Sequence, residues 1–345
     1  MTSISFPSEQ HKERLASYLT EQGLNDGGDV QLTPIAGGQS NPTFRMTSAG
    51  REYVLRKKPE GVLLPGAHAV DREYRVMRGL QGSNVPVPQV FAYCDDNEVI
   101  GTPFYVMEWL EGRVFLDQSL PGMTPTERAA IYADMNRVIA ELHAVDPAAV
   151  GLADYGRPGN YFARQISRWS RQALESTLPM SDAMRQLIEW LPNHIPEGDE
   201  TTIVHGDFRL DNLVFHPTEP RVIGLLDWEL STLGHPLGDF AYHCMSWRIP
   251  ATVWRGIAGL DLAQLGIPGE AEYVEAYARA TGRDPSAHWE FYMAFNLFRM
   301  AAILRGIGQR VLDGTAEAAD AAETASKAEP LAELGWGCAQ RYGVR

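Results

Sequence analysis

TTIVHGDFRLDNLVFHPTEPRVIGLLDWE, residues 201–229, sets polar residues at the ends of short apolar runs. Ile203 and Val204 form an apolar strand that delivers His205-Gly206-Asp207. The spacing D-x4-N then brings Asn212, followed at once by Leu213-Val214-Phe215. A proline-containing turn leads into Val222-Ile223-Gly224-Leu225-Leu226, which ends on Asp227. The pattern predicts two short strands presenting Asp207, Asn212 and Asp227 at loop ends on the same side of a hairpin. Asp and Asn are also ordinary turn residues, and HGD alone is a weak signal. The spacing, the strand contexts and the later Asp227 together point to phosphoryl transfer. There one carboxylate orients an acceptor hydroxyl and takes its proton, while a carboxylate and an amide oxygen hold the Mg2+ ions on the phosphates of ATP. Asp207 is the candidate catalytic base, and Asn212 and Asp227 are the candidate metal ligands.

On the N-terminal side, residues 8–22 read as an amphipathic helix. Strand-like runs follow at 31–36, 43–48 and 52–58, the last two joined by a tight turn at Ala49-Gly50-Arg51. Residues 67–81 read as a helix with Val70, Tyr74, Met77 and Leu80 near one face. NVPVPQVFAYC and GTPFYVMEWL supply two further extended segments, which closes a small sheet domain near residue 107. From Thr124 the pattern turns helical, with a capping-box start at Thr124 and Glu127. Helical stretches resume after the β interlude and run to an Ala/Glu-rich segment at 315–329. A β-rich first lobe followed by a helical second lobe predicts an α+β fold rather than a doubly wound sheet. Neither GxxxxGK[ST] nor a GxGxxG after the first strand is present.

Composition sets outer limits. The chain has 345 residues, of which 44% are hydrophobic and 21% charged, ordinary values for a soluble enzyme. A net charge of -14 argues against nucleic acid or an anionic membrane as the main partner. Much of the acidic excess lies after residue 107, where 20 basic residues face 32 acidic ones. Such an excess attracts a cationic acceptor or simply keeps a surface soluble. No run approaches the roughly 18 apolar residues of a membrane helix. The first residues carry no secretion-signal pattern, and Cys94, Cys244 and Cys338 are scattered. They read as reduced thiols, so a cytoplasmic location is expected.

HGDFRLDN with LLDWE resembles the aminoglycoside phosphotransferase family, a branch of the protein-kinase-like fold, over roughly residues 30–310. RKKPEGVLLPGAHAVDREYRVM, VIGTPFYVMEWLEG and LDWELSTLGHPLGD are most similar to the kinase-like domain fused to some animal acyl-CoA dehydrogenases. The resemblance implies a two-lobed fold: a small β-sheet N-lobe with one helix (1–107), a hinge (108–113) and a larger, mainly helical C-lobe (114–345). It also implies that a basic residue on the third strand binds phosphates and pairs with a carboxylate of the next helix. Arg56 takes the place where most kinases carry Lys, with Lys57 as the alternative and Glu73 as the helix partner. Strand alternation puts Arg56 with Val54 on one face and Lys57 with Leu55 on the other.

Gly37, Gly38 and Ser40 stand where such kinases place a glycine-rich loop over the phosphates, although a Gly-Gly turn is often only a turn. Glu108, Trp109 and Leu110 stand at the hinge, where backbone groups bind adenine. His205 is expected to be a scaffold hydrogen-bonder, and Arg209 either approaches the phosphate or pairs with Asp211 or Asp239. The aromatic residues of 289–304 are expected in a core. The implied activity is transfer from ATP to a hydroxyl of a small-molecule acceptor, with hydroxyacyl compounds preferred over aminoglycosides or choline-like alcohols. Arg164, Arg168 and Arg171, on one helix face, would suit a coenzyme A ester. The rival reading is a nucleotide-binding pseudokinase.

Overall fold

The computed structural model describes residues 8–35, 41–61, 68–316 and 318–343. The chain opens with α1 (Glu9–Glu21), whose Ser8 cap accepts from the His11 amide. Strands β1 (Gln31–Pro34), β2 (Thr43–Ser48) and β3 (Arg51–Lys57) follow. Ser48 pairs with Arg51, so the turn is Ala49-Gly50, both at positive φ. Two such residues match the right-handed twist of a hairpin. Next come α2 (Val70–Leu80), β4 (Val90–Cys94), the short α3 (Asn97–Ile100) and β5 (Phe104–Glu108). Among the described residues these strands make one antiparallel sheet in the order β1-β2-β3-β5-β4. Leu15 and Leu19 of α1 pack with Phe44, Met46, Leu55, Phe104 and Val106 in its core.

Beyond the sheet lie α4 (Pro125–Ala144), α5 (Tyr161–Glu175) and α6 (Asp182–Trp190). The expected capping box is present, with Thr124 and Glu127 each accepting from the other's backbone. Four short strands follow: β6 (Thr202–Val204), β7 (Leu213–Phe215), β8 (Val222–Leu225) and β9 (Thr232–Gly234). Here the structure corrects the single-hairpin expectation. β7 pairs with β8, but β6, which leads to Asp207, pairs with β9. The three-residue run at 232–234 is too short to announce itself as a strand.

The remaining helices are α7 (Pro236–Cys244), α8 (Leu262–Leu265), α9 (Glu270–Thr281), α10 (Trp289–Leu312), α11 (Ala321–Ser326) and α12 (Ala328–Arg341). Residues 315, 316 and 318–320 are not helical, so among the described residues the expected helical run at 315–329 begins late. Helix α10 is buried without a break from Phe291 to Ala302 and packs against α5, α7, α11 and α12. A helix that is apolar on all sides is a core helix, and its aromatic residues belong to that core.

The fold is of the protein-kinase-like kind, and the chain forms two compact units: residues 1–113, 150–155 and 213–231, and residues 114–149, 156–212 and 232–345. The first takes in the β7–β8 hairpin. Hydrogen bonds explain this. Arg113 and Phe215 exchange backbone bonds of 2.8 Å, and the Leu225 amide donates to the Pro86 carbonyl at 2.7 Å. Arg72 of α2 donates to the carbonyls of Tyr155 and Ser231, at 2.8 and 3.3 Å.

Candidate active site

In the first unit the site is built around Arg56. Its neighbours on β3 are buried, and its side chain lies on the face predicted by alternation. Nε lies 3.0 Å from Glu73 Oε2, and the terminal guanidinium nitrogen Nη2 lies 3.0 Å from Asp227 Oδ1. Burial works against the Arg56 charge, but Tyr105, Glu73 and Asp227 outweigh it and push the guanidinium up. Glu73 is 1% exposed and holds further donors: Asn41 Nδ2 at 2.7 Å and the Tyr105 hydroxyl at 3.0 Å. Burial pushes the Glu73 carboxyl up despite Arg56, while Tyr105 and Asn41 donate to its ionised form. Lys57 points elsewhere and pairs with Glu60 at 2.9 Å.

Asp227 sits just past β8 with φ 66° and ψ 63°, in the left-handed region. Asp and Asn enter this region more readily than most residues, and such conformations gather at functional sites. Of the hinge residues, Glu108 has its amide occupied by the Gln89 carbonyl at 2.8 Å. Gly37, Gly38 and Ser40 lie outside the described residues.

In the second unit the loop after β6 carries Asp207. Its backbone is clamped by Asp239 of α7, whose two carboxylate oxygens accept from the amides of His205 and Gly206 at 2.8 Å each. Asp239 is held in turn by His143 at 3.2 Å. Burial opposes ionisation of Asp239, yet His143, His205 and the backbone donors together lower its carboxyl. His205 is fully buried and its ring accepts from the Asp207 amide at 3.3 Å, a scaffold arrangement.

The Asp207 carboxylate has protein partners on both oxygens. Oδ2 accepts from Asn212 Nδ2 at 3.1 Å and faces Arg209 Nε at 3.1 Å. Oδ1 accepts from the Tyr242 hydroxyl at 2.5 Å. Asn212 turns its amide nitrogen toward Asp207, also reaching the Asp207 carbonyl at 2.9 Å, so its amide oxygen faces away. Arg209 bridges Asp207 and Asp211 rather than reaching Asp239, and Asp211 also pairs with Arg255.

Tyr242, Arg299 and the clamping role of Asp239 escape a reading of the sequence. Tyr242 lies 35 residues beyond Asp207. The available signal is the spacing of three between Asp239 and Tyr242, which puts both on one face of α7. Of the α5 arginines, Arg164 is drawn to the carbonyls of Arg157 and Pro158. Arg168 and Arg171 are exposed and, among the described residues, in no ion pair.

Residues 31–295 match the profile of a phosphotransferase enzyme family. Mouse acyl-CoA dehydrogenase family member 10 is 46% identical over 99% of this chain, which spans 32% of that relative's length. The crystal structure of a candidate aminoglycoside phosphotransferase from Ralstonia eutropha is 54% identical, covering 95% of this chain and 98% of its own, with a TM-score of 0.88. A thermostable mutant aminoglycoside phosphotransferase, solved with AMP-PNP and hygromycin B, has a TM-score of 0.61 over 93% of this chain and 98% of its own. At 18% identity it shows the shared fold alone. Among the described residues no helix is long and apolar enough to cross a membrane.

Proposed function

Since this chain belongs to the phosphotransferase enzyme family, we propose that it is a kinase that moves the γ-phosphate of ATP, with Mg2+, to a hydroxyl of a small molecule. The observation that carries this reading is the Asp207 carboxylate, held on both oxygens yet with its side chain 15% exposed. A general base must keep one lone pair within reach of the proton that it removes. Arg56, kept charged between Glu73 and Asp227, supports a role at the phosphates. Arg carries a forked donor set there in place of the point charge of Lys. A magnesium ion bound with the nucleotide would neutralise phosphate charge during transfer. Asn212 and Asp227 offer the hard oxygen donors such an ion takes, with phosphate oxygens and water supplying the rest.

We assign adenine recognition to the hinge 108–113, through backbone groups of Glu108, Trp109 and Leu110. Gly37, Gly38 and Ser40 are assigned to the phosphate loop. Residues 1–107 then form the nucleotide lobe and 114–345 the catalytic and acceptor lobe. The buried free thiols of Cys94, Cys244 and Cys338 support a reducing, cytoplasmic setting.

For the acceptor we favour a hydroxyacyl compound. The support is the identity to a relative named as an acyl-CoA dehydrogenase family member, together with the unpaired Arg168 and Arg171. The competing acceptor is an aminoglycoside, favoured by the description of the Ralstonia structure and by the acidic second half of the chain. Purified protein, ATP and Mg2+ are to be incubated with hydroxyacyl-CoAs of several chain lengths, kanamycin, hygromycin B and choline. ADP release and the mass of the product are the readouts. Phosphorylated hydroxyacyl product is expected. Turnover of kanamycin or choline alone would sink the acceptor assignment, and nucleotide binding without any transfer would make the chain a pseudokinase.

A further inference from the structure

The Tyr242 hydroxyl is not accounted for by any step above. It belongs to α7, every residue of which is buried, and it is itself 6% exposed. Its oxygen lies 2.5 Å from Asp207 Oδ1. Burial, with the Asp207 charge next, pushes the phenol far up, so it stays protonated and can only donate in this pair. The ring is held from the other side by Arg299, whose guanidinium carbon lies 5.2 Å from the ring centre. Arg299 also donates to the Gly206 carbonyl at 2.9 Å. One buried arginine thus ties the tyrosine ring to the backbone that precedes Asp207.

An ionised carboxylate has about four acceptor sites, two on each oxygen. Asn212 donates to Oδ2 and the Arg209 guanidinium stands 3.1 Å from the same atom, whereas among the described residues Oδ1 has the Tyr242 hydroxyl alone. Oδ1, with one close neighbour against two at Oδ2, is the less crowded oxygen. We propose that Oδ1 is the atom that accepts the proton of the acceptor hydroxyl, and that Tyr242 is the positioning residue that fixes it. Tyr242 acts through its bond to Asp207. It donates one hydrogen bond that holds the carboxylate plane and leaves the remaining lone pair of Oδ1 pointing outward. During transfer the acceptor O–H bond breaks as its oxygen bonds to phosphorus, the bond from phosphorus to the ADP oxygen breaks, and the proton passes to Oδ1. The phenol keeps its own proton throughout.

This inference rests on the kinase reading, and its test separates the two. Tyr242→Phe removes the donor and keeps the ring over Arg299. The expected result is a fall in kcat of about tenfold, the low side of what a misaligned base costs, with the nucleotide Kd unchanged. In an Asp207→Asn background the same change should have almost no further effect, because residues acting as a unit are not additive. A proton spectrum supplies a readout free of turnover. A slowly exchanging downfield hydroxyl resonance should be present in the wild type and absent from both Tyr242→Phe and Asp207→Asn. If Tyr242→Phe does not fold, 3-fluorotyrosine at position 242 keeps the shape and should shift that resonance and change kcat together.

Full additivity with Asp207→Asn, or an unchanged kcat in Tyr242→Phe, would overturn the positioning role while leaving the kinase reading intact. A wild type that transfers phosphate to no acceptor would overturn the kinase reading. If it still showed the downfield resonance, the contact would be structural only, and the positioning role would fall as well.

Discussion

At the scale of single residues, the proposed function gives Asp207 and Arg56 separate tasks. Asp207→Asn keeps the shape and most contacts of the carboxylate but removes its basicity. We expect kcat to fall by about two to four orders of magnitude, the usual worth of a positioned base, with calorimetric nucleotide affinity unchanged. Near-normal turnover would place the base elsewhere. Arg56 and Lys57 are adjacent yet face different partners, the buried Glu73 with Asp227 in one case and Glu60, which is 57% exposed, in the other. Arg56→Ala leaves Glu73 buried without its cation, an event that costs about 3–5 kcal/mol. It should also raise the nucleotide KM far more than Lys57→Ala does. Chemical denaturation and nucleotide titration of the two variants check both statements, and the reverse ranking would refute the assignment.

At the scale of elements, short strands and helix caps aim the loops. Helix α4 packs against β6, the strand that leads to Asp207. Its N-terminus is satisfied by the reciprocal bonds of Thr124 and Glu127. Thr124→Ala removes that cap and should destabilise the protein by about 1 kcal/mol. The change lies at the far end of a 20-residue helix, so kcat should hold. A denaturation midpoint that does not move would show that the cap contributes nothing here. Thr124-x-x-Glu127 is readable from the chain because both partners lie within one turn. The pairing of β6 with β9 is not, since three residues leave no periodicity to detect.

At the scale of the whole molecule, the buried histidines set a pH limit. Burial pushes His235 and His243 down to about 4. Their unfolded counterparts titrate near 6.5, so as pH falls from 6.5 the unfolded chain takes up protons before the folded one does. The stability these groups contribute is present above about pH 6.5 and is lost toward pH 4, on the order of 3 kcal/mol for each. Urea denaturation should show a lower midpoint at pH 5 than at pH 7. Replacing His235 with Asn, which can still cap α7, and His243 with Gln should flatten that dependence. A slope unchanged in the double variant would mean that other groups cause it.

Local spacing carried much of this protein into view from the chain alone. The D-x4-N step, Asp227 at a strand end, the alternation that separates Arg56 from Lys57 and the order of a sheet before helices all lie within windows of a few residues. Their physical cause is short-range: strand period, turn preference and helix caps. What needed folding was everything that joins distant segments. Asp239 clamps the loop of Asp207, Tyr242 donates to one oxygen of its carboxylate, and hairpin 213–225 packs with the first unit. Partners separated by more than 30 residues leave no periodic trace. Their contacts depend on helix and strand packing, so they exist only once burial has brought the elements together.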